Sequence, residues 1–460
     1  MTALEILWQH AALPRIAPGS VVLTGNDPIL PSSFRVGTAA QATIAAAGLA
    51  AAEIWRRRSG QSQTVTVDMR HAAAEFRSER YLRIDGQAPS DPWDAIAGAY
   101  RCGDGRYVRL HTNFPHHRDG VLRILGCAYN REAVAAALKT WDAEAFETRA
   151  TAEGLVVAAM RSFSEWDAHP HGMAINATPP LTVERIGDAP PTPLPRGGDR
   201  PLSGVRALDL TRVIAGPVCG RALAAHGAEV LHISGPHLPA LGERDTGRGK
   251  RSAHVDLRDP AGHDHFRQLL AGADLFVQSY RPGALAAAGF GFEQAAAIRP
   301  GLVCVTLSAY GETGPWAGKR GFDSLVQTAT GLNHAEGEAA GTSGEPKVLP
   351  CQTIDHASGY LLALGAMATL LRRADEGGSW LVRVSLAVTG RWLRGLGRLE
   401  HGLAAPDQSV DDVQDLLETT DSGFGRMTGV RHAAQLSATP ARWAFPAVPL
   451  GTHPAAWLAS

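Results

Sequence analysis

The sequence predicts an α/β protein built around a parallel β-sheet with helices on both faces. Two observations carry this. From residue 203 onward, short apolar runs alternate with helix-like segments, the pattern that βαβ units impose. In addition, one helix–strand unit of the later chain has a counterpart near the beginning of the sequence at a constant offset of 317 residues.

The elements follow in order. VRALDL (205–210) reads as a buried strand, and GPVCGRALAAHG (216–227) as a helix that stops at Gly227. EVLHI (229–233) is the next strand. AGHDHFRQLLAGA (261–273) is helical and DLFVQS (274–279) extended. FEQAAAIRPG (292–301) is helical until Pro300, and LVCVTLSA (302–309) is again a strand. Ligands of such sheets bind outside the carboxyl ends of the strands. That singles out TRVIAGP, SYRPGAL and AYGETGPW, the segments that follow three of them.

The Pro- and Gly-rich stretch DAPPTPLPRGGDRP (188–201) has no periodic apolar face and reads as a linker. The predicted organisation is an N-terminal part (1–187), a linker (188–202), a large domain (203–395) and a C-terminal tail (396–460). The chain has 460 residues, is 45% hydrophobic and carries a net charge of −1, so neither a nucleic-acid nor a membrane partner is expected. Five cysteines, none in a C-x-x-C pair, argue against a disulfide framework. With no signal-like N-terminus and no long uninterrupted apolar run, the expected location is cytoplasmic.

The internal repeat pairs ATIAAAGLAAAEIWRRRSGQSQTVTVDM (42–69) with SGYLLALGAMATLLRRADEGGSWLVRVSL (358–386). Gly48 matches Gly365, Arg56 matches Arg373, and Val65 and Val67 match Val382 and Val384. Immediately before the second copy lies QTIDHASGYLLALG (352–365), in which Asp355 and His356 precede a helix expected to begin near Ser358. At the same offset Asp355 corresponds to Thr38, so only one copy carries the acid. Asp355 is either an N-cap or a nucleophile. The dipole of the following helix favours its ionised form in both cases.

Other motifs are weaker. TGRGKRS (246–252) has the spacing of a phosphate loop but Arg248 stands where Lys is required. Arg248, Lys250 and Arg251 are either phosphate ligands by charge or a solvated basic turn. No G-x-G-x-x-G follows the first strand, which disfavours a nicotinamide dinucleotide. No G-x-S-x-G elbow occurs. His111, His116, His117, His263 and His265 lack acidic or Cys partners at ligand spacing and are expected to be surface or core histidines, with no metal.

Taken together and in this order, DLTRVIAGPVCGRALAAHGAEVLHI (209–233), GKRSAHVDLRDPAG (249–262), ADLFVQSYRPGALAAAGFGFE (273–293), RPGLVCVTLSAYGETGPW (299–316), GFDSLVQTATGL (321–332) and IDHASGYLLALGAMATLLRR (354–373) resemble the class III CoA-transferases, a family that includes carnitine and formyl-CoA transferases and acyl-CoA racemases. AGAYRCGDGRYVRLHTNFPHH (97–117) is similar to the family's small domain and AEGLVVAAMRSFSEWDAHPHG (152–172) to its C-terminal region, so the order is permuted and one unit is duplicated. The resemblance implies a Rossmann-like large domain and a smaller α+β domain. It also implies an interlocked homodimer, or here an intrachain pseudo-dimer.

Carried over residue by residue, the resemblance places the catalytic aspartate at Asp355. It places one CoA-binding loop at Val213, Ile214 and Ala215 and a second at Ser279, Tyr280 and Arg281, where Ser279 replaces the family's Asn. Basic residues for CoA phosphates fall on Lys250, Arg251 and Arg320. The implied activity is transfer of CoA between carboxylic acids through an aspartyl-CoA thioester, with acyl-CoA and a free acid as substrates and no permanently bound cofactor. Two alternatives stand beside it. One is an acyl-CoA racemase or epimerase, although Phe322 occupies the place of the racemases' His. The other is a non-catalytic acyl-CoA-binding protein, suggested by the rearranged order, Ser279 and Thr38.

Overall fold

The structure, a computed structural model, describes residues 1–91, 93–342 and 344–459. Near its start, β1 (Val21–Thr24) pairs in parallel with β2 (Val65–Asp68) across the helix α1 (Val36–Ser59), and α2 (Met69–Glu75) follows. A small α+β domain comes next. Strands β3 (Gly98–Arg101), β4 (Tyr107–Leu110) and β5 (Val157–Ala159) form an antiparallel sheet in that order, packed with helices that include α3 (Ala143–Ala152). It has its own core, centred on Leu110, Val134, Leu138 and Phe146.

The large sheet is built from β6 (Thr182–Gly187), β7 (Arg206–Leu210), β8 (Glu229–Ser234), β9 (Lys250–His254), β10 (Leu275–Gln278), β11 (Val303–Ser308) and β12 (Ser379–Ser385). Its order is β9-β8-β7-β10-β11-β12-β6. All neighbours are parallel except β6, which runs antiparallel to β12. Apart from β6 this is the doubly wound Rossmann order, and the winding reverses between β7 and β10. The strands on either side of that reversal are buried along nearly their whole length, as a sheet covered on both faces requires. Residues 188–202 contain neither helix nor strand, and β6 on their N-terminal side joins the sheet formed by residues on their other side. The C-terminal tail runs along the edge strand β9. Gly249 N–H donates to Phe445 O at 2.7 Å and His453 N–H to Ser252 O at 2.7 Å, so the edge is covered.

The repeat is realised in three dimensions. Helices α4 (Ala215–Ala225) and α5 (Asp323–Ala329) pack against the later copy, which is α6 (Thr353–Glu376) followed by β12 and α7 (Leu386–Gly395). Helices α1 and α6 are both 24 residues long, and both of their ends differ by the same 317 positions. A Cβ on Gly48 would lie 3.0 Å from Val65 Cγ1, and one on Gly365 2.5 Å from Val382 Cγ1. The two glycines therefore serve the same helix–strand approach. Helix α6 starts five residues before the Ser358 expected from sequence. It is apolar and long enough to cross a membrane by length and composition, but it is buried between α1 and α4 as a core helix.

A buried charge cluster ties the two units together. Glu75 at the end of α2 accepts from the Tyr360 hydroxyl and, at 2.6 Å, from the Ala433 amide, and lies 3.7 Å from Arg221 on α4. Arg221 pairs with Asp245 at 2.7 Å, and Asp245 pairs with Arg248 at 3.0 Å. Arg248, a phosphate candidate from sequence, is therefore committed to the interior, where it also stacks over Trp443.

Candidate active site

A cleft of about 400 Å³ opens at the point where the winding of the sheet reverses. The large domain contributes the loop after β7 (Arg212 to Ala215), the loop after β10 (Ser279 to Pro282), the end of β11, Lys319 to Phe322 and Asp355. The small domain contributes Phe114, His116, His117 and Val156. One chain thus supplies both walls.

Asp355 occupies the third position of α6 and reaches the cleft although it is buried. Two contacts put it there. Gly359, one turn later, faces α4: a Cβ there would lie 2.6 Å from Ala215 O and 2.7 Å from Val218 Cβ. The Asp-x-x-x-Gly spacing thus lets α6 lie directly against the helix that carries the Val213–Ala215 loop. Asp323 on α5 accepts the backbone N–H of Asp355 at 2.9 Å. The N-cap residue Gln352 makes no side-chain cap bond, and among the described residues none donates a hydrogen bond to the Asp355 carboxylate. Capping, one of the two sequence readings of Asp355, is therefore not its role in this fold.

The expectation that the helix dipole keeps Asp355 ionised is corrected. Burial, then the Asp323 carboxyl, then Glu79 push its pKa well above the usual carboxylate range. Asp323 is itself pushed up to about 7 by burial, against the amide and Gln327 hydrogen bonds that lower it. Two buried carboxyls that repel one another resist double ionisation, and this outweighs a helix dipole worth about 0.3–1 kcal/mol.

The first loop is strained. Val213 has φ +73°, unfavourable for a β-branched residue and seen chiefly where surrounding structure imposes it. Gly216 follows because a Cβ there would meet Thr211 Cβ at 2.4 Å. The two loops are stitched together where Arg212 N–H donates to Ser279 Oγ at 3.3 Å, so Ser279 holds a structural bond in place of the family's amide. The Tyr280 amide donates to Gln278 Oε1 at 2.8 Å. Arg212, Arg281 and Arg320 line the cleft. Arg212 stacks over Phe114 and Arg320 reaches Gly154 O at 3.3 Å. Burial first, then Arg281, lowers the Arg320 pKa, so the cluster favours an anion.

Lys250 and Arg251 are not brought to this cleft. Lys250 Nζ is buried against Asp209 Oδ2 at 2.8 Å and Pro217 O at 2.8 Å. Arg251 donates to Ala456 O at 2.6 Å and lies 3.5 Å from Glu229. The Lys250 charge is spent on interior partners, and that of Arg251 on Glu229 and the C-terminal tail. Lys319 does line the cleft, but it is paired with Glu147 on α3 at 2.6 Å, a bond that joins the two domains.

Sequence reasoning missed several lining residues. His116 and His117, read as surface or core histidines, face the cleft, and burial holds the His117 pKa down to about 3. His111 stacks on Phe322 with ring centroids 4.0 Å apart, and Phe114 flanks the same ring at 5.7 Å. These small-domain residues lie at least 238 positions before Asp355, so no local pattern linked them to it. His356, next to Asp355, points the other way, toward Glu79 at 3.2 Å and the face of Phe76.

The sequence profile of CoA-transferase family III matches residues 17–190 and 202–409, most of the chain. This chain belongs to that family. Among curated relatives, an acyl-CoA transferase from Gibberella moniliformis is 28% identical over 407 residues, covering 79% of this chain and 71% of that protein. The human succinyl-CoA:glutarate CoA-transferase is 36% identical over 193 residues, covering 39% of this chain and 43% of its own length. Other curated relatives are likewise matched over half of their length or less, for example 50% for a probable fatty acyl-CoA transferase of Mycobacterium tuberculosis. A crystal structure of a CAIB/BAIF family protein from Brucella suis aligns over 43% of this chain and 55% of that one, at 26% identity and a TM-score of 0.39. The chain described here is thus a family III CoA-transferase relative whose two matched segments together span most of its length.

Proposed function

We propose that this chain transfers CoA between carboxylic acids through a thioester on Asp355. The observation that carries the reading is a buried carboxyl group, to which none of the described residues donates a hydrogen bond, facing a cleft flanked by the two loops and three arginines. Coenzyme A enters as part of the substrate, with its phosphates near Arg212, Arg281 and Arg320 and its thioester toward Asp355. The single chain acts as its own pseudo-dimer, since small and large domains both line the cleft.

In the first step an Asp355 oxygen attacks the acyl-CoA carbonyl carbon. The C–S bond breaks and CoA leaves as thiolate, giving a mixed anhydride. The thiolate then attacks the aspartyl carbonyl of that anhydride, the donor acid departs as carboxylate, and an aspartyl-CoA thioester remains. The acceptor carboxylate attacks this thioester and expels the thiolate, and the thiolate attacks the acceptor's carbonyl to form the new acyl-CoA and restore Asp355. A carboxylate nucleophile conserves the thioester's energy at every stage. The apolar wall of Val156, Leu307, Phe322 and Leu386 suits an acid with an apolar body and excludes water from the anhydride.

Phe322 at the racemases' His position, stacked on His111, whose pKa burial holds near about 3, supports transfer over α-proton exchange. Asp355→Asn is expected to abolish CoA transfer while acyl-CoA still binds. Retained transfer overturns the proposal, and deuterium incorporation at the α-carbon in D2O without transfer assigns the racemase reading instead.

A further inference from the structure

The site contains a second carboxyl that the transfer steps do not use. Asp323 opens α5 and is buried. Its Oδ2 accepts the Asp355 amide at 2.9 Å, and Gln327 Nε2 donates to its Oδ1. From a different helix it does for α6 what its own N-cap residue does not.

The duplicated unit repeats this arrangement without the nucleophile. Asp27 accepts the amides of Gly37 at 3.1 Å and Thr38 at 2.9 Å, and the Thr38 hydroxyl at 2.6 Å. Gly37 and Thr38 are the offset counterparts of Ile354 and Asp355. A carboxylate therefore holds the equivalent amide, that of Thr38 or Asp355, in both helices. In the first unit it is satisfied by the Thr38 hydroxyl. In the second it faces another acid.

We infer that Asp323 is the positioning residue of the transfer reaction: by holding the first turn of α6 through the Asp355 amide, it leaves the Asp355 carboxylate unbonded and directed into the cleft. This rests on the reading of Asp355 as nucleophile. Once Asp355 is converted to anhydride or thioester it is neutral, and Asp323 ionises beside it without repulsion and tightens on the amides. The charged and titratable groups around the pair are Glu79 from the N-terminal unit, His356 on α6 and Arg109 on β4.

Two substitutions separate geometry from charge. Asp323→Asn keeps an acceptor for the amide and removes the charge, so the acidic limb of the kcat/KM profile moves to lower pH. Asp323→Ala removes both and lets the turn shift. Because a misplacement of roughly 1 Å costs about 10²-fold, kcat falls by one to two orders of magnitude while KM for acyl-CoA stays within a few-fold. An unshifted acidic limb in Asp323→Asn overturns the inference even if the Ala variant does not fold, and so does a loss carried by KM alone in Asp323→Ala. Asp355→Asn in the same assay keeps the two claims apart: if it turns over, the nucleophile assignment fails whatever Asp323 does.

Discussion

The contact at Gly359 yields a prediction whose size can be worked out. In Gly359→Ala the new methyl would sit 2.6 Å from Ala215 O and 2.7 Å from Val218 Cβ and Cγ1. One neighbour is backbone and the other is β-branched, so neither moves aside cheaply. Overpacking of this kind costs about 1–3 kcal/mol. For 460 residues the unfolding entropy is about 1 kcal/mol per degree, so the melting temperature falls by only about 1–3 °C. The functional effect is larger, because relief of the clash moves α6, and Asp355 with it, away from the Val213–Ala215 loop. A displacement of roughly 1 Å corresponds to about 100-fold in rate. The control is Gly365→Ala, six residues further along the same helix. There the methyl meets Val382 Cγ1 at 2.5 Å and Leu181 Cδ1 at 2.7 Å, a comparable overlap remote from the cleft. Thermal unfolding and steady-state CoA transfer are measured on both variants. Equal losses of activity at Gly359 and Gly365 would refute the claim that the Asp-x-x-x-Gly spacing positions the nucleophile.

Three further outcomes are expected. Because burial, Asp323 and Glu79 raise the folded-state pKa of Asp355, its contribution to stability is full below the unfolded value of about 4 and is lost as pH rises through the folded value; Asp355→Asn therefore raises the melting temperature at pH 8 and leaves it nearly unchanged at pH 4, by calorimetry. Asp209→Asn strands the buried Lys250 ammonium, which costs about 3–5 kcal/mol and lowers the melting temperature without removing any group that lines the cleft. Arg281→Ala raises KM for acyl-CoA several-fold at low ionic strength, leaves kcat in place, and loses most of its effect in about 1 M salt, where the screening length is roughly 3 Å.

Much of the fold was legible in the sequence. The alternation after residue 203 marked the inner parallel strands but not the edge strand β9, which looked like a basic turn, and two of the three segments chosen as strand-end loops line the cleft while AYGETGPW reaches it only at Ala309. The fixed offset between residues 42–69 and 358–386 corresponds to two helices of identical length with equivalent glycines at equivalent strands. Long-range pairing was what stayed hidden. Lys250 and Arg251 look like phosphate ligands in a run of basic residues, but their partners Asp209 and Ala456 lie 41 and 205 positions away. The carboxylate that anchors α6 is 32 residues upstream on another helix, so Asp355 looked like its own helix's cap. The docking of the small domain, which brings His116 and His117 to the cleft, has no local signature. The Asp27–Thr38 contact is the exception. The repeat itself points to Thr38, whose amide is held by Asp27 as the Asp355 amide is held by Asp323.

In the proposed cycle Asp355 becomes a mixed anhydride and then a CoA thioester. The most direct test of this is peptide mass spectrometry after incubating the protein with a panel of acyl-CoAs and quenching with hydroxylamine. The account predicts a hydroxamate on the peptide containing Asp355, formed with productive donors and absent in Asp355→Asn. Turnover of a donor with no modification of that peptide, or modification at another residue, would contradict it.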